Sequence, residues 1–115
     1  PFEEGVYTYD GGHAHIGISY GTYGDFLQRL ENLADVTDTF HAFSTTISAS
    51  GIDNCISYKV AERMLEEFKQ MEAKAEKYLV KDGSDEYGKF LWNIYKRYME
   101  VLQECIELKG IVQYK

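Results

Sequence analysis

Proline is almost absent from this chain, with Pro1 the sole example among 115 residues. Helices therefore cannot be kinked or stopped by proline, and their ends must be set by glycine, capping side chains and turns. Proline-rich linkers and recognition segments are excluded with it. Cysteine is scarce as well. Cys55 and Cys105 are too few for a disulfide scaffold and show no Cys-x-x-Cys spacing, so both are expected to be reduced and packed. No apolar run approaches the roughly 20 residues that span a bilayer, and no basic stretch leads into an apolar one as in a secretory signal. The expectation is a cytoplasmic protein with no membrane partner.

Basic residues are missing from one half of the chain. Residues 1–56 hold eight acids against the single base Arg29, a balance of -7, whereas in residues 57–115 eleven bases meet eleven acids. The whole net charge of -7 thus belongs to the first half. An acidic face repels phosphates instead of releasing counterions, which argues against direct nucleic-acid binding. It can attract a protein with a basic surface, or simply keep the chain soluble.

What is present is a clear pattern of elements in one domain, residues 1–115, with an acidic strand-turn-helix unit in 1–56 and a helical hairpin with a final strand in 57–115. The run GVYTY leads to Asp10-Gly11-Gly12, whose glycines supply the positive φ of a tight turn. On the return strand Ala14, Ile16, Ile18 and Tyr20 alternate with His13, His15, Gly17 and Ser19, so the apolar set should face the core. Gly21-Thr22-Tyr23-Gly24 should then break the strand. Phe26, Leu27, Leu30, Leu33 and Ala34 follow at helical spacing, with Thr22 or Asp25 as cap. Residues 36–50 fit either a helix or a strand, and their serines and threonines favour extended structure. Gly51 to Asn54 reads as a loop.

From Ser57 to Lys81, Ala61, Met64, Phe68, Met71, Ala75 and Tyr78 recur at spacings of three and four, a heptad-like seam. Asp82-Gly83 ends that helix. In the last helix Tyr87, Leu91, Ile94, Tyr98, Val101, Cys105 and Leu108 make one stripe, and Trp92, Tyr95, Met99, Leu102 and Ile106 a second. The first packs antiparallel on the preceding helix. The second is covered by the sheet or by another copy of the chain, which would make Trp92, Tyr95, Met99, Leu102 and Ile106 a homodimer interface. IVQYK after Gly110 reads as a strand pairing with the N-terminal hairpin. The fold class is α+β: a short antiparallel sheet of hairpin and C-terminal strand, packed on a short helix and a long antiparallel αα-hairpin.

The segments HIGISYGTYGDFLQRL, SGIDNCISYKVAERML, FLWNIYKRYMEVLQECIELKG and IVQYK, in that order, resemble small uncharacterised α+β proteins of bacterial and phage genomes. Many of those carry Asp-Cys-Asp-Gly ahead of Ile-Ser, where this chain has Asp53-Asn54-Cys55. The resemblance implies a fold and a phage or mobile-element origin, and no activity.

The candidate sites divide by chemistry. His13 and His15 share a strand face and could hold one metal ion with His41 or Asp10 as third ligand, although His-x-His alone is equally an exposed polar face. Cys55, close to a helix N-terminus, could act as a nucleophile with His41 and Asp53, but no recognisable motif surrounds it and a packed thiol is the simpler reading. The glycines of residues 11–24 fit neither phosphate-loop pattern. Glu66, Glu67 and Glu72 lie on a charged helix face that should be solvated. Tyr7, Tyr9, Tyr20 and Tyr23 cluster instead with Asp10, Asp25, Glu31 and Asp35, and amphipathic rings beside carboxylates suit a protein interface. The expected function is a non-catalytic protein-binding module without cofactor, in a specific form an inhibitor whose carboxylates occupy the basic groove of a host nucleic-acid enzyme. The alternative is a small-ligand or metal-binding protein using His13, His15 and His41.

Overall fold

The computed structural model describes residues 5–8, 15–49, 55–80 and 86–114. Strands β1 (Gly5–Thr8), β2 (His15–Gly17), β3 (Cys55–Ser57) and β4 (Ile111–Tyr114) form one antiparallel sheet in the order β2-β1-β4-β3. Helices α1 (Tyr20–Val36), α2 (Ser44–Ala49), α3 (Tyr58–Val80) and α4 (Glu86–Leu108) complete the α+β architecture. The N-terminal hairpin pairs Val6 with Ile16, and β4 pairs with it as expected, Val6 opposite Tyr114 and Thr8 opposite Val112. The expected turn at Asp10 to Gly12 lies outside the described residues. The alternation of β2 holds: Ile16 and Ile18 are buried, and His15, Gly17 and Ser19 face out.

A fourth strand, β3, leads directly into α3, and the expected loop of Gly51 to Asn54 lies outside the described residues. Ile56 pairs with Val112 and turns inward, which leaves Cys55 exposed on the outer face of β3, so only Cys105 is packed. Ser57 caps the start of α3, its Oγ accepting from the Val60 amide at 3.4 Å.

The glycine-rich segment is helix. Ser19, extended at φ -71°, accepts from the Thr22 amide at 3.2 Å, so α1 begins at Tyr20 and takes Gly21 and Gly24 into its first turns. Thr22 and Asp25 are therefore inside the helix, not at its cap. At the other end Asp38 adopts φ 54°, and the amides of Thr39 and Asp38 donate to the carbonyls of Ala34 and Asp35 at 2.9 and 3.3 Å. That is a Schellman closure built on an aspartate instead of glycine.

The two long helices supply most of the core. Ala61, Met64, Leu65, Phe68, Met71, Ala75 and Leu79 of α3 are buried, Leu79 standing where Tyr78 was expected. On α4 the buried set is Leu91, Ile94, Tyr95, Tyr98, Val101, Leu102 and Cys105, together with Gly88. Phe68 packs between Tyr95 and Tyr98 in tilted contacts at ring distances of 4.5 and 5.0 Å. The Tyr95 hydroxyl donates to the Phe68 carbonyl at 2.6 Å. The Tyr98 hydroxyl lies between those of Tyr23 and Tyr114 at 2.8 and 2.5 Å, tying α1, α4 and β4 together in the interior. Burial raises the pKa of Tyr95, Tyr98 and Tyr114 above the ordinary 10.0.

Tyr95 and Leu102 are thus core residues of a single chain, which removes them from the expected interface stripe. Trp92, Met99 and Ile106 are half-buried against the same core. Tyr87 and Leu108, expected at the ends of the hairpin stripe, are 39% and 50% exposed.

Candidate functional site

Residues 36–50 decide where the surface becomes concave. Val36 ends α1, and residues 37–49 form not a strand but a turn followed by the six-residue helix α2; residue 50 lies outside the described residues. Such a short helix has too few internal hydrogen bonds to hold itself. Its two anchors come from elsewhere. Phe43 is buried, meeting Phe68 and Tyr95 edge-on at 5.6 and 6.2 Å. Burying such a ring contributes about 1.5 to 3 kcal/mol. Glu67 of α3 supplies the second anchor. Its carboxylate accepts from the Thr45 amide at 2.9 Å, the Thr46 amide at 3.0 Å and the Thr46 hydroxyl at 2.9 Å. A carboxylate at a helix N-terminus answers both the orphan amides and the positive end of the dipole. Glu67 is therefore bound into the fold rather than solvated with Glu66 and Glu72.

Between α2 and the last turns of α1 lies a groove of about 430 Å³. Its floor is apolar, made by Leu30, Ala34, Phe43 and Ile47, and Glu31 and Asp35 stand on its α1 rim. Phe40 forms part of the wall yet is 63% exposed, and the neighbouring Val36 is 66% exposed. His41, at φ 66°, also lines this groove, in the turn from which α2 starts. An aromatic and a β-branched side chain left in water beside two carboxylates are the least explained feature of this half if folding were its sole task. Isolated exposed apolar residues are common; Phe40 stands at a concave site, whereas Val36 lies outside its lining.

The expected partner-binding residues do not all meet there. Glu31 and Asp35 do. Asp25 instead accepts a hydrogen bond from the Tyr87 hydroxyl of α4, and the Arg29 guanidinium lies over the Tyr87 ring, 5.2 Å from its centroid. Tyr23 is half-buried and turned to Tyr98, a role in the interior. Tyr7 lies in β1 opposite His15 and Gln113, and Tyr20 opens α1. Tyr9 and Asp10 lie outside the described residues. What the sequence did not single out is Phe40 and Val36: both fit a helical apolar period with Phe43 and Ile47, and the period alone cannot tell which of the four stay wet.

For the metal reading, His13 lies outside the described residues, His15 is exposed on β2 and His41 sits on the groove. Among the described residues no three histidine, cysteine, aspartate or glutamate side chains converge on a metal-sized space. The thiol of Cys105 is buried and its pKa is pushed up to about 11 by desolvation, the environment of a packing cysteine rather than a nucleophile. Asp53, the third member of the expected cysteine arrangement, is outside the described residues. No described helix is long and apolar enough to cross a membrane.

Two further depressions carry mixed charge. One of about 540 Å³ between β2 and α4 sets Lys96 and Arg97 beside Glu100, and one of about 390 Å³ on the outside of the α3–α4 pair sets Lys69 among Glu100, Glu104 and Glu107. No protein-family model, curated protein or solved structure matches this chain.

Proposed function

We propose that this protein is a non-catalytic binding module, acting in the cytoplasm, whose acidic N-terminal half docks on a basic surface of another protein through the α1–α2 groove. The observation that carries this reading is the exposure of Phe40 beside Glu31 and Asp35 on the lining of a groove with an apolar floor. Aromatic anchors in partly desolvated pockets dominate binding energy at interfaces, and rim charges set the rate and selectivity of encounter. Its specific form is an inhibitor of phage or mobile-element origin. In that role carboxylates take the places of phosphates in the basic groove of a host nucleic-acid enzyme, and the confinement of the net charge to residues 1–56 supports it.

The test places a photo-crosslinking residue at position 40 and, in a second protein, at position 76 of α3, where Glu76 is exposed. In lysate of the source cells, position 40 should give an adduct with a protein rich in lysine and arginine at the contact. Its yield should fall several-fold between about 50 and 500 mM salt, as screening removes the attraction. Equal adducts at positions 40 and 76, or a yield indifferent to salt, would overturn the reading. Adducts confined to proteins without nucleic-acid activity would remove the inhibitor form alone.

A further inference from the structure

Resting on the docking reading, we infer that the α1–α2 groove takes a short cationic peptide segment, with one bulky apolar side chain of that segment seated in the groove. The dimensions come first. The groove is bounded by about a turn and a half of α1, from Leu30 to Asp35, and by one turn of α2, from Ser44 to Ser48. At 1.5 Å per residue this is roughly 8 Å of wall, the length of one or two side chains rather than of a folded body. A volume of about 430 Å³ falls in the range of pockets that enclose compact ligands.

The chemistry of the lining then selects the occupant. Leu30, Ala34, Phe43 and Ile47 offer no hydrogen-bonding side chain at the floor, so the seated group is hydrocarbon. Glu31 and Asp35 lie one helical turn apart on the rim, about 6 Å along the axis. Neither makes an ion pair among the described residues, whose salt bridge joins Lys89 to Glu86, and Arg29, the single base of residues 1–56, lies over the Tyr87 ring. A phosphate or carboxylate ligand would meet two negative charges there. A metal ion would find no third ligand of its kind among the described residues. A segment with a large apolar side chain and a lysine or arginine two to four positions away satisfies floor and rim together. Phe40, already in water, closes over the anchor and loses exposed apolar surface as it does so.

The probe is a displayed library of random 12-residue peptides, selected on the wild-type protein after depletion on Phe40→Asp. Enriched peptides should carry one leucine, methionine or aromatic residue with lysine or arginine within four positions. They should bind wild type at least tenfold more tightly than Phe40→Asp or Glu31→Lys/Asp35→Lys, both of which replace exposed residues and keep the wild-type circular dichroism. Spermidine and tryptophan amide are titrated beside them. Enriched peptides without basic residues, peptides that bind the variants as well as wild type, or a small amine that binds as tightly as the peptides would each overturn the inference. If no peptide is enriched while position 40 still cross-links to a folded basic protein, the peptide inference falls and the docking reading stands.

Discussion

The α3–α4 hairpin and the α1–α2 unit are both pairs of helices, and they are finished to different degrees. In the hairpin the apolar seam closes on itself: Phe68, Tyr95 and Tyr98 interlock, the tyrosine hydroxyls find partners in the interior, and the bases and acids of residues 57–115 balance. In the α1–α2 unit the connection runs through two left-handed residues, Asp38 and His41, α2 borrows its N-terminal acceptor from Glu67, and Val36 and Phe40 remain in water among unbalanced acids. The acid excess and the two most exposed large apolar side chains, Val36 and Phe40, fall in the same half, although Tyr87, Phe90 and Leu108 of α4 are also exposed. The hairpin is thus closed within the chain, whereas the α1–α2 unit contributes Phe26, Leu30, Leu33 and Phe43 to the core and leaves its outer edge open, where the proposed docking surface lies.

The largest contrast is between two phenylalanines. Phe68→Ala should cost about 3 to 5 kcal/mol, because it empties the centre of the aromatic cluster. Phe40→Ala should stay within about 0.5 kcal/mol, because its ring is already solvated. Urea unfolding of both variants measures the two values, and similar costs would erase the distinction.

Alkaline pH probes the same core without mutation. Tyr95, Tyr98 and Tyr114 have pKa values held above the ordinary 10.0 in the folded chain, so the folded state keeps protons that the unfolded state releases. Stability is then intact below pH 10 and lost as pH rises beyond it, by about 1.4 kcal/mol per tyrosine at pH 11, or about 4 kcal/mol for the three. Urea midpoints at pH 8, 10 and 11, with tyrosinate absorbance followed in parallel, check the sign. Absorbance showing all ten tyrosines of the chain ionised at pH 11 while it stays folded would contradict the buried network.

Much of the hairpin was legible because its signals are local and repeated. The three-and-four spacing from Ala61 to Ala75 and the two stripes of α4 announce themselves over several turns, and the alternation from Ile16 to Ile18 needs only neighbours. The α1–α2 unit was legible in charge but not in shape. Gly21 and Gly24 look like strand breakers, yet Ser19 caps a helix that runs through them, and the structure gives no steric reason for either glycine, since a Cβ at each would meet open space. Helix α2 was hidden because its acceptor, Glu67, lies 21 residues from Thr46. Strand β3 is three residues long, too short to show a period. For the candidate site, Glu31 and Asp35 were visible as part of an acid excess, whereas the exposure of Phe40 depends on how Phe43 is anchored from another helix.

The borrowed acceptor makes a smaller prediction. Glu67→Ala leaves the Thr46 hydroxyl and two amides without their partner and should cost about 1 to 3 kcal/mol. Glu67→Gln should recover part of this, since its amide oxygen still accepts while its NH2 faces a donor. Amide hydrogen exchange at Thr45 and Thr46 should rise well before exchange in α3 and α4. Uniform acceleration across all helices would mean that α2 is not a separately held element.

Stability and binding measured on the same exposed variants separate scaffold from docking surface. For Phe40→Asp and Glu31→Lys/Asp35→Lys, urea midpoints should match wild type within about 0.5 kcal/mol while affinity for the protein cross-linked at position 40 falls at least tenfold. Wild-type affinity in both variants, or binding lost only in step with stability, would contradict that separation.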